Sequence, residues 1–247
     1  KGVQELLLLR GRKSRYDKFE EFINTRFRLA SIETIINNPF DLILVGSDQV
    51  WNYNLTNGFD SYYWGNFQHP KQTKIVSYAA SMQDGWPIEL SQTIRSHLKN
   101  FEKISVRESS LANKLIKLTE RSDIYHVVDP TLLLDRDIWY KLAKKPNIKY
   151  SYLLLFQVEG RNNKTEKIAE KIATEKQLPI VRISTLIDWY SSKKVWATSP
   201  FDFLGLFLYA DLVVCSSFHG TIFSIIFNKP FVSVKMGVGK DNRVMNL

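Results

Sequence analysis

One turn of the sequence combines residue types that can bind and protonate an anionic ligand. Ser216, Ser217 and His219 lie between the apolar run 212–215 and a second apolar stretch that ends before Pro230. The pattern predicts a strand, a hydroxyl-rich turn and a helix. Because the N-terminus of a helix favours negative charge, this turn suits an anion that a histidine could protonate near neutral pH. A structural histidine is the alternative for His219, and helix capping is the alternative for both serines.

Strand and helix patterns alternate along both halves of the chain. Apolar runs predict strands over 41–45, 74–79, 103–106, 126–128, 151–158, 180–183, 212–215 and 231–234. Helical periodicity predicts helices over 16–29, 87–101, 109–118, 136–144, 163–176, 201–209 and after 217, with irregular segments at 53–73 and 185–200. This alternation predicts an α/β fold of parallel sheets with helices on both faces, in two lobes that divide at Pro146 into residues 1–146 and 147–247.

Polar residues follow most of the predicted strands, where ligands of parallel sheets bind. They are Gly46, Ser47, Asp48, Ser81, Arg107, Glu108, Asp129, Ser184, the turn from Ser216 to Gly220, and Lys235. We therefore expect a polar cleft between the lobes. Arg107 can hold a carboxylate or phosphate in a bidentate fork, or form an ion pair with Glu108 or a neighbouring helix. Asp48 can orient His219, accept a proton or cap a helix, and Asp129 before Pro130 is typical of a turn.

The composition limits which binding partners and which cellular location are expected for this protein. The net charge of +9 fits nucleic acid, an anionic membrane or an anionic substrate, but no nucleic-acid motif is present, and no nucleic-acid partner is expected. The single cysteine, Cys215, excludes an internal disulfide. Without a signal peptide or a run of about 18 apolar residues, we expect a cytoplasmic protein, with peripheral contact at the inner membrane as one use of the charge. The sequence offers no metal-ligand spacing, so no metal and no cofactor are expected.

Seven short motifs occur in an order that resembles the polysaccharide pyruvyl transferase family, from about Asp41 to the last residue. They are VGSDQVWN from Val45, SYAAS from Ser77, SVRE from Ser105, VDPT from Val128, SSFHG from Ser216, NKPF from Asn228 and DNR from Asp241. The resemblance implies a fold of two Rossmann-like lobes similar to that of GT-B glycosyltransferases, with an active site in the cleft.

The resemblance also implies an activity, namely transfer of pyruvate from phosphoenolpyruvate to sugar hydroxyls as a ketal during synthesis of bacterial cell-surface polysaccharide, including exopolysaccharide. The acceptor would be a sugar, a glycan or a lipid-linked glycan. His219 matches the catalytic histidine of the family and Arg107 its donor-binding arginine. Some members have arginine where this chain has Ser217, and Lys235 or Arg243 could supply that contact instead. Family members commonly begin with a further strand and continue with further helices, so we expect the chain to be either a fragment or incompletely ordered.

The residues leave competing hypotheses open. A helix N-terminus disfavours the imidazolium form, so we expect His219 to act as an acid only when an anionic donor is bound. A GT-B glycosyltransferase that uses a nucleotide sugar is one alternative, and a catalytically silent glycan-binding relative is another. Gly46, Ser47, Asp48, Ser216, Ser217 and Gly220 are the remaining substrate-binding candidates.

Overall fold

The fold was analysed in a computed structural model that describes residues 2–38, 40–82, 85–158, 163–183, 193–195 and 199–235, with side chains from Lys13 onward except in 193–195. Its strands are β1 Leu42–Val45, β2 Lys74–Ser77, β3 Ile104–Val106, β4 Ile124–His126, β5 Leu153–Phe156, β6 Ile180–Ile183, β7 Lys193–Val195, β8 Leu212–Cys215 and β9 Phe231–Ser233. Its α-helices are α1 Gly2–Arg26, α2 Ile32–Asn37, α3 Ser91–Leu98, α4 Ser109–Thr119, α5 Arg136–Leu142, α6 Asn163–Lys176, α7 Pro200–Leu208 and α8 Phe218–Ile226. Two short 3₁₀ helices cover Ile88–Leu90 and Pro130–Leu132.

The chain divides into two compact units. The described residues of one lie within Lys1–Leu29 and Leu134–Met236, and we call it the five-stranded unit. Those of the other lie within Ala30–Leu133, and we call it the four-stranded unit. Every strand pair in both units is parallel, which confirms the predicted α/β class with parallel sheets. The predicted lobe boundary at Pro146 stays a prediction.

The five-stranded unit is a doubly wound sheet with the strand order β7-β6-β5-β8-β9. Successive residues of β5 point to opposite faces of the sheet, as the twofold period of a strand requires. Leu154 belongs to a buried cluster with Phe207 of α7 and Phe223 of α8. Leu153 belongs to a second cluster with Ala169 of α6. Apolar residues on both faces explain why the strands read as continuous hydrophobic runs.

The four-stranded unit pairs β1 with β2 and β3 with β4. Isolated parallel bridges, such as the one between Val76 and Lys103, connect the two pairs. α3 and α4 bury Ile94, Leu98 and Leu115 against this sheet. The irregular segment predicted at 53–73 contains turns and no helix or strand, although its Trp64 is buried.

Some predicted boundaries are wrong. α1 begins at Gly2, fourteen residues before the predicted start at Tyr16, because the prediction relied on the helical spacing of apolar residues that begins at Phe19. The predicted loop 185–200 contains strand β7, which pairs with β6 through backbone hydrogen bonds. β4 ends at His126, where the predicted strand begins. The prediction looked for a buried apolar run, but Tyr125 in the middle of β4 is half exposed.

Candidate functional site

The turn between β8 and α8 has a capped geometry that places His219 in the first turn of the helix. The Ser217 side chain is the N-cap and accepts a hydrogen bond of 2.9 Å from the backbone N–H of Gly220. The backbone N–H of Ser216 donates to the Phe156 carbonyl oxygen at 3.2 Å, which ties the turn to the end of β5. The capping role expected as an alternative for Ser217 is therefore confirmed.

His219 lies where the winding of the five-stranded sheet reverses. β5 and β8 are neighbours, but β5 continues through α6 to β6 on one side, and β8 continues through α8 to β9 on the other. α6 and α8 pack on opposite faces of the sheet, so the two crossovers diverge from the ends of β5 and β8. In doubly wound folds, ligands bind in the crevice at this switch point.

A cavity of about 840 Å³ opens at this position. Its volume falls within the roughly 300–1,000 Å³ that is usual for small-ligand sites. The lining comes from α1 and the residue after it, α5, the ends of β5 and β6, α7 and α8: Arg15, Phe19, Phe22, Arg26, Phe27, Trp139, Leu142, Phe156, Gln157, Val158, Ile183, Pro200, Phe201, Phe203, Leu204, His219 and Phe223. Arg15, Arg26 and His219 are titratable, and none of the lining residues that the structure describes is a carboxylate.

Helix α1 forms one wall of the cavity and is fastened to α7. Lys18 forms a 2.9 Å ion pair with Asp202, and the Phe22 ring packs edge-on against Phe201 with centroids 5.3 Å apart. The guanidinium of Arg26 lies 5.3 Å from the centroid of the same Phe201 ring. Burial raises the pKa of the Asp202 carboxyl, but the hydrogen bonds from Lys18 and Ser199 outweigh it, and the pKa lies below its usual value. Asp202 therefore stays ionised, and the attachment of α1 persists near neutral pH.

Gly220 allows the start of α8 to approach the sheet closely. A Cβ atom at this position would lie 2.9 Å from Cys215 Cβ, 2.9 Å from Ser217 Oγ and 3.0 Å from a Phe156 ring carbon. These distances are shorter than ordinary van der Waals contact, so glycine is required for the present position of the His219 backbone. Cys215 is fully buried beneath the turn, as expected for a small core residue.

The carboxyl ends of β1 to β4 carry a second polar cluster, centred on Arg107. Its guanidinium contacts Asp129 at 2.8 Å and Asp48 at 3.2 Å. The side chains of Arg107 and Asp129 are 2% and 1% exposed, whereas that of Asp48 is 61% exposed. Asp129 also accepts hydrogen bonds from the backbone N–H and the hydroxyl of Thr131, which confirms its predicted role in a turn.

Gly46 and Asp48 shape the loop after β1. Gly46 has φ +125°, and a Cβ on it would clash with the Tyr78 carbonyl oxygen at 2.3 Å. Asp48 has φ 68° and forms a parallel bridge with Ala80. No helix begins at Asp48, so the helix-capping alternative for this residue is wrong. Ser47 is part of the same loop and is partly buried.

The predicted site residues thus fall into two groups, one in each unit. Gly46, Ser47, Asp48 and Arg107 belong to the four-stranded unit, and Ser216, Ser217, His219, Gly220 and Lys235 belong to the five-stranded unit. Lys235 is exposed beyond the end of β9, and Ser184 and Arg243 lie outside the described residues. The expected convergence of His219 and Arg107 on one donor stays a prediction. Trp51 and Trp64 stack in the core with their ring centroids 5.0 Å apart.

Sequence reasoning missed the contribution of α1 to the cavity. Arg15, Phe19, Phe22 and Arg26 all line it, and they occur at helical spacing of four, three and four residues. The sequence pattern predicts a helix over 16–29 but no ligand contact for these arginines. The helical spacing that places Arg15 and Arg26 on either side of Phe19 and Phe22 could have indicated that all four residues share one face of the helix.

Further features of the described residues concern metals and membranes. Where side chains are described, no group of three or more His, Cys, Asp or Glu residues is arranged to hold a metal ion. None of the helices in the described part of the chain is long and apolar enough to cross a membrane.

Comparisons with known proteins place the chain in a fold and a family. No curated protein gives a significant match. A crystal structure from Listeria monocytogenes, assigned as a UDP-N-acetylglucosamine 2-epimerase, is similar in fold, with a TM-score of 0.57 and 11% sequence identity. The match covers 86% of this chain and 62% of that chain, and it supports the predicted GT-B-like architecture. The sequence profile of the polysaccharide pyruvyl transferase family matches residues 3–236. The chain therefore belongs to the polysaccharide pyruvyl transferase family.

Proposed function

We propose that this protein transfers a pyruvyl group from phosphoenolpyruvate to two hydroxyls of a sugar acceptor, forming a ketal on a cell-surface glycan or its precursor. The observation that carries the proposal is the position of His219 in a chain of this family. His219 lies in the first turn of α8, at the switch point of the sheet, and lines a cavity of ligand size.

The reaction requires a proton donor at carbon. A proton adds to the methylene C3 of phosphoenolpyruvate, and a sugar hydroxyl oxygen bonds to the electron-poor C2. The C2–O bond to phosphate breaks, and a second hydroxyl oxygen of the same sugar closes the ketal at C2. Of the two hydroxyl protons, one balances the proton gained by C3 and the other leaves with phosphate. A positioned acid contributes about 10²–10⁴-fold to such a step.

His219 is assigned as this acid. The anionic donor offsets the unfavourable effect of the helix N-terminus on the imidazolium, so protonation of His219 and donor binding reinforce each other. Phe218 packs edge-on against the imidazole with ring centroids 5.3 Å apart, which limits the orientations of the imidazole. Ser217 keeps the first turn of α8 in place through its bond to Gly220.

Arg107 is assigned to donor binding from the four-stranded unit. Asp129, which is buried, holds one terminal nitrogen of the guanidinium, and Asp48 contacts the other from an exposed position. The second nitrogen is therefore the one that a carboxylate or phosphate of the donor can reach, by displacing Asp48. Arg107→Lys would keep the charge but lose the fork geometry, so we expect a raised KM for phosphoenolpyruvate.

The test incubates the chain with phosphoenolpyruvate labelled with carbon-13 at C2 and a panel of methyl glycosides that carry vicinal diols or diols one carbon apart. We expect release of phosphate together with a quaternary ketal carbon in the NMR spectrum. His219→Gln should lower the rate by about 10²–10⁴-fold and remove the fall in rate on the alkaline side of the pH–rate profile. His69→Gln, the same change in the segment 53–73, should alter the rate by no more than about twofold.

Three outcomes would contradict the proposal. One is an unchanged rate and pH profile in His219→Gln. The second is release of nucleotide from a nucleotide sugar under the same conditions, which would indicate a glycosyltransferase. The third is tight binding of glycan with no turnover of phosphoenolpyruvate, which would indicate a silent binding relative.

A further inference from the structure

The last residue of the SYAAS motif and the last residue of the SVRE motif contact each other inside the four-stranded unit. The hydroxyl of Ser81 donates a hydrogen bond of 2.5 Å to Oε1 of Glu108. Both residues are 0% exposed. Because neither side chain reaches the surface, a part for either of them in the reaction requires that it act through a neighbouring residue.

The backbone beside Ser81 lies between the loop after β1 and the start of α4. The backbone N–H of Ser81 donates to the Asp48 carbonyl oxygen at 2.9 Å, and that of Arg107 donates to the Ala80 carbonyl oxygen at 3.1 Å. Glu108 directly follows Arg107 and is the N-cap residue of α4. The bond from Ser81 to Glu108 therefore adds a side-chain link between the two loops whose carboxylate and guanidinium meet.

We propose that Ser81 and Glu108 are positioning residues that hold Arg107 where it can bind the carboxylate or phosphate of phosphoenolpyruvate. A buried carboxyl oxygen that loses its donor cannot exchange it for water, so the start of α4 would shift towards another donor. Arg107 immediately precedes this point, and its guanidinium would move with the backbone. This inference rests on the proposed function, since Arg107 is the donor-binding residue assigned to that reaction.

The kinetic effect of such a shift differs from that of a loss of stability. Displacement of Arg107 weakens binding of the donor in the ground state and the transition state alike, which raises KM and leaves kcat unchanged. A purely structural role would lower the amount of folded protein, and the KM of the folded remainder would stay the same. The KM for phosphoenolpyruvate therefore distinguishes a positioning residue from one that only stabilises the unit.

The experiment compares Ser81→Ala with Ser77→Ala. Ser77 is the matched control, because it is a buried serine of the same unit whose hydroxyl donates to the Ser105 carbonyl oxygen at 3.1 Å instead of to Glu108. We expect Ser81→Ala to raise both the KM and the calorimetric Kd for phosphoenolpyruvate at least about tenfold, with kcat within about twofold. Ser77→Ala should lower the urea midpoint but leave KM and Kd within about twofold.

Two further variants test the hydrogen bond and the route of its effect. Ser81→Cys keeps a side chain of similar size and supplies only a weak donor, so it should raise KM without leaving a cavity. Ser81→Ala is also introduced into Arg107→Lys, where the fork geometry is already lost. There it should raise KM by no more than about a further twofold, because its effect passes through Arg107. Circular dichroism establishes that each variant is folded before its KM is interpreted.

Three results would overturn the inference. These are an unchanged KM and Kd in both Ser81 variants, an equal rise in Ser81→Ala and Ser77→Ala, or a full rise from Ser81→Ala in the Arg107→Lys background. Binding of phosphoenolpyruvate to the unchanged protein is measured in parallel. Absence of that binding would contradict the proposed reaction itself, whereas normal binding by the unchanged protein and by both Ser81 variants would remove the positioning role alone.

Discussion

The two units of this protein both end their parallel strands in polar loops, but they use those loops differently. In the four-stranded unit, the polar side chains contact one another, with Arg107 between Asp129 and Asp48. In the five-stranded unit, His219 lies at a cavity whose described lining residues are mainly apolar and include two arginines but no carboxylate. In the first arrangement carboxylates of the protein already pair with the cation, whereas the second offers positive charge to a ligand.

This difference shows why a polar residue after a strand is not by itself a binding residue. A guanidinium with two carboxylates beside it contributes first to the structure of its own loop, and a ligand must compete for it. The two arginines of the apolar cavity have no carboxylate beside them among the lining residues that the structure describes. Among residues at the carboxyl ends of strands, the neighbours therefore decide which ones can serve a ligand.

The largest difference in stability between the two kinds of polar loop is expected from substitution of Arg107. Arg107→Met would leave the carboxylate of Asp129 buried without the guanidinium, and breaking a buried pair in this way costs about 3–5 kcal/mol. Asp48→Asn removes the exposed partner and should cost at most about 1 kcal/mol. The measurement is the urea midpoint of unfolding for the two variants, each compared with the unchanged protein.

Lys74→Met supplies the control for this series, since Lys74 pairs with Glu102 at 3.0 Å while both side chains are largely exposed. It should change the free energy of unfolding by at most about 1 kcal/mol. If Arg107→Met were no more destabilising than Lys74→Met, the contacts of Arg107 with Asp129 and Asp48 would not stabilise the four-stranded unit.

A smaller effect is expected at Gly220, on the cavity side of the comparison. Gly220→Ala places a Cβ within 3.0 Å of Cys215, Ser217 and Phe156, so the first turn of α8 must shift by a few tenths of an ångström. Overpacking of this kind costs about 1–3 kcal/mol. Because His219 is the preceding residue, the rate of pyruvyl transfer should fall by more than the stability change alone accounts for.

Ile225→Ala is the control for Gly220, because Ile225 lies on the exposed side of the same helix. Its rate of pyruvyl transfer should stay within about twofold of the original. Equal rates in Gly220→Ala and the unchanged protein would mean that the position of the His219 backbone does not matter for the site.

The elements predicted most accurately are those with strong periodicity and clear ends. Helix α6 and strands β6 and β8 have the predicted boundaries. Ile168 and Ile172 give α6 a helical period, and apolar residues form most of β6 and all of β8. Strand β7 was predicted as a loop, since its sequence Lys193–Val195 shows no apolar run and its pairing with β6 comes from the backbone. Tertiary pairing decided the structure there, and local sequence could not.

The candidate site was predictable where one short segment contains it. The strand, the Ser217 cap and the helix that carries His219 all follow from consecutive residues. The cavity was not predictable in the same way, because its lining joins α1 to residues more than 100 positions later along the chain. Asp129 illustrates the same limit, since the turn that it forms with Thr131 is local and its ion pair with Arg107 is not.

The smallest expected effect is a loss of stability at low pH. It distinguishes an ion pair of the four-stranded unit that stabilises the fold from a carboxylate that is merely exposed. Arg121 forms two 2.8 Å contacts with Asp123 and also donates to the carbonyl oxygens of Leu98 and Phe101. The hydrogen bond from Arg121 lowers the pKa of Asp123 from 3.8 to about 2. A carboxyl whose pKa is lower in the folded state stabilises the fold above its unfolded pKa, and this stabilisation is lost as the pH falls from about 4 towards 2. The loss is at most about 2 kcal/mol, and less in practice because both side chains are about a quarter exposed.

Asp123→Asn should therefore flatten the fall in the urea midpoint between pH 4 and pH 2, whereas Asp41→Asn, at an exposed carboxylate just before β1, should leave that fall unchanged. The two variants carry the same change in charge, so net charge alone cannot produce a difference between them. An equal flattening in both would mean that acid acts through the overall charge of the protein and that the Arg121–Asp123 pair has no separate part in the stability of the unit.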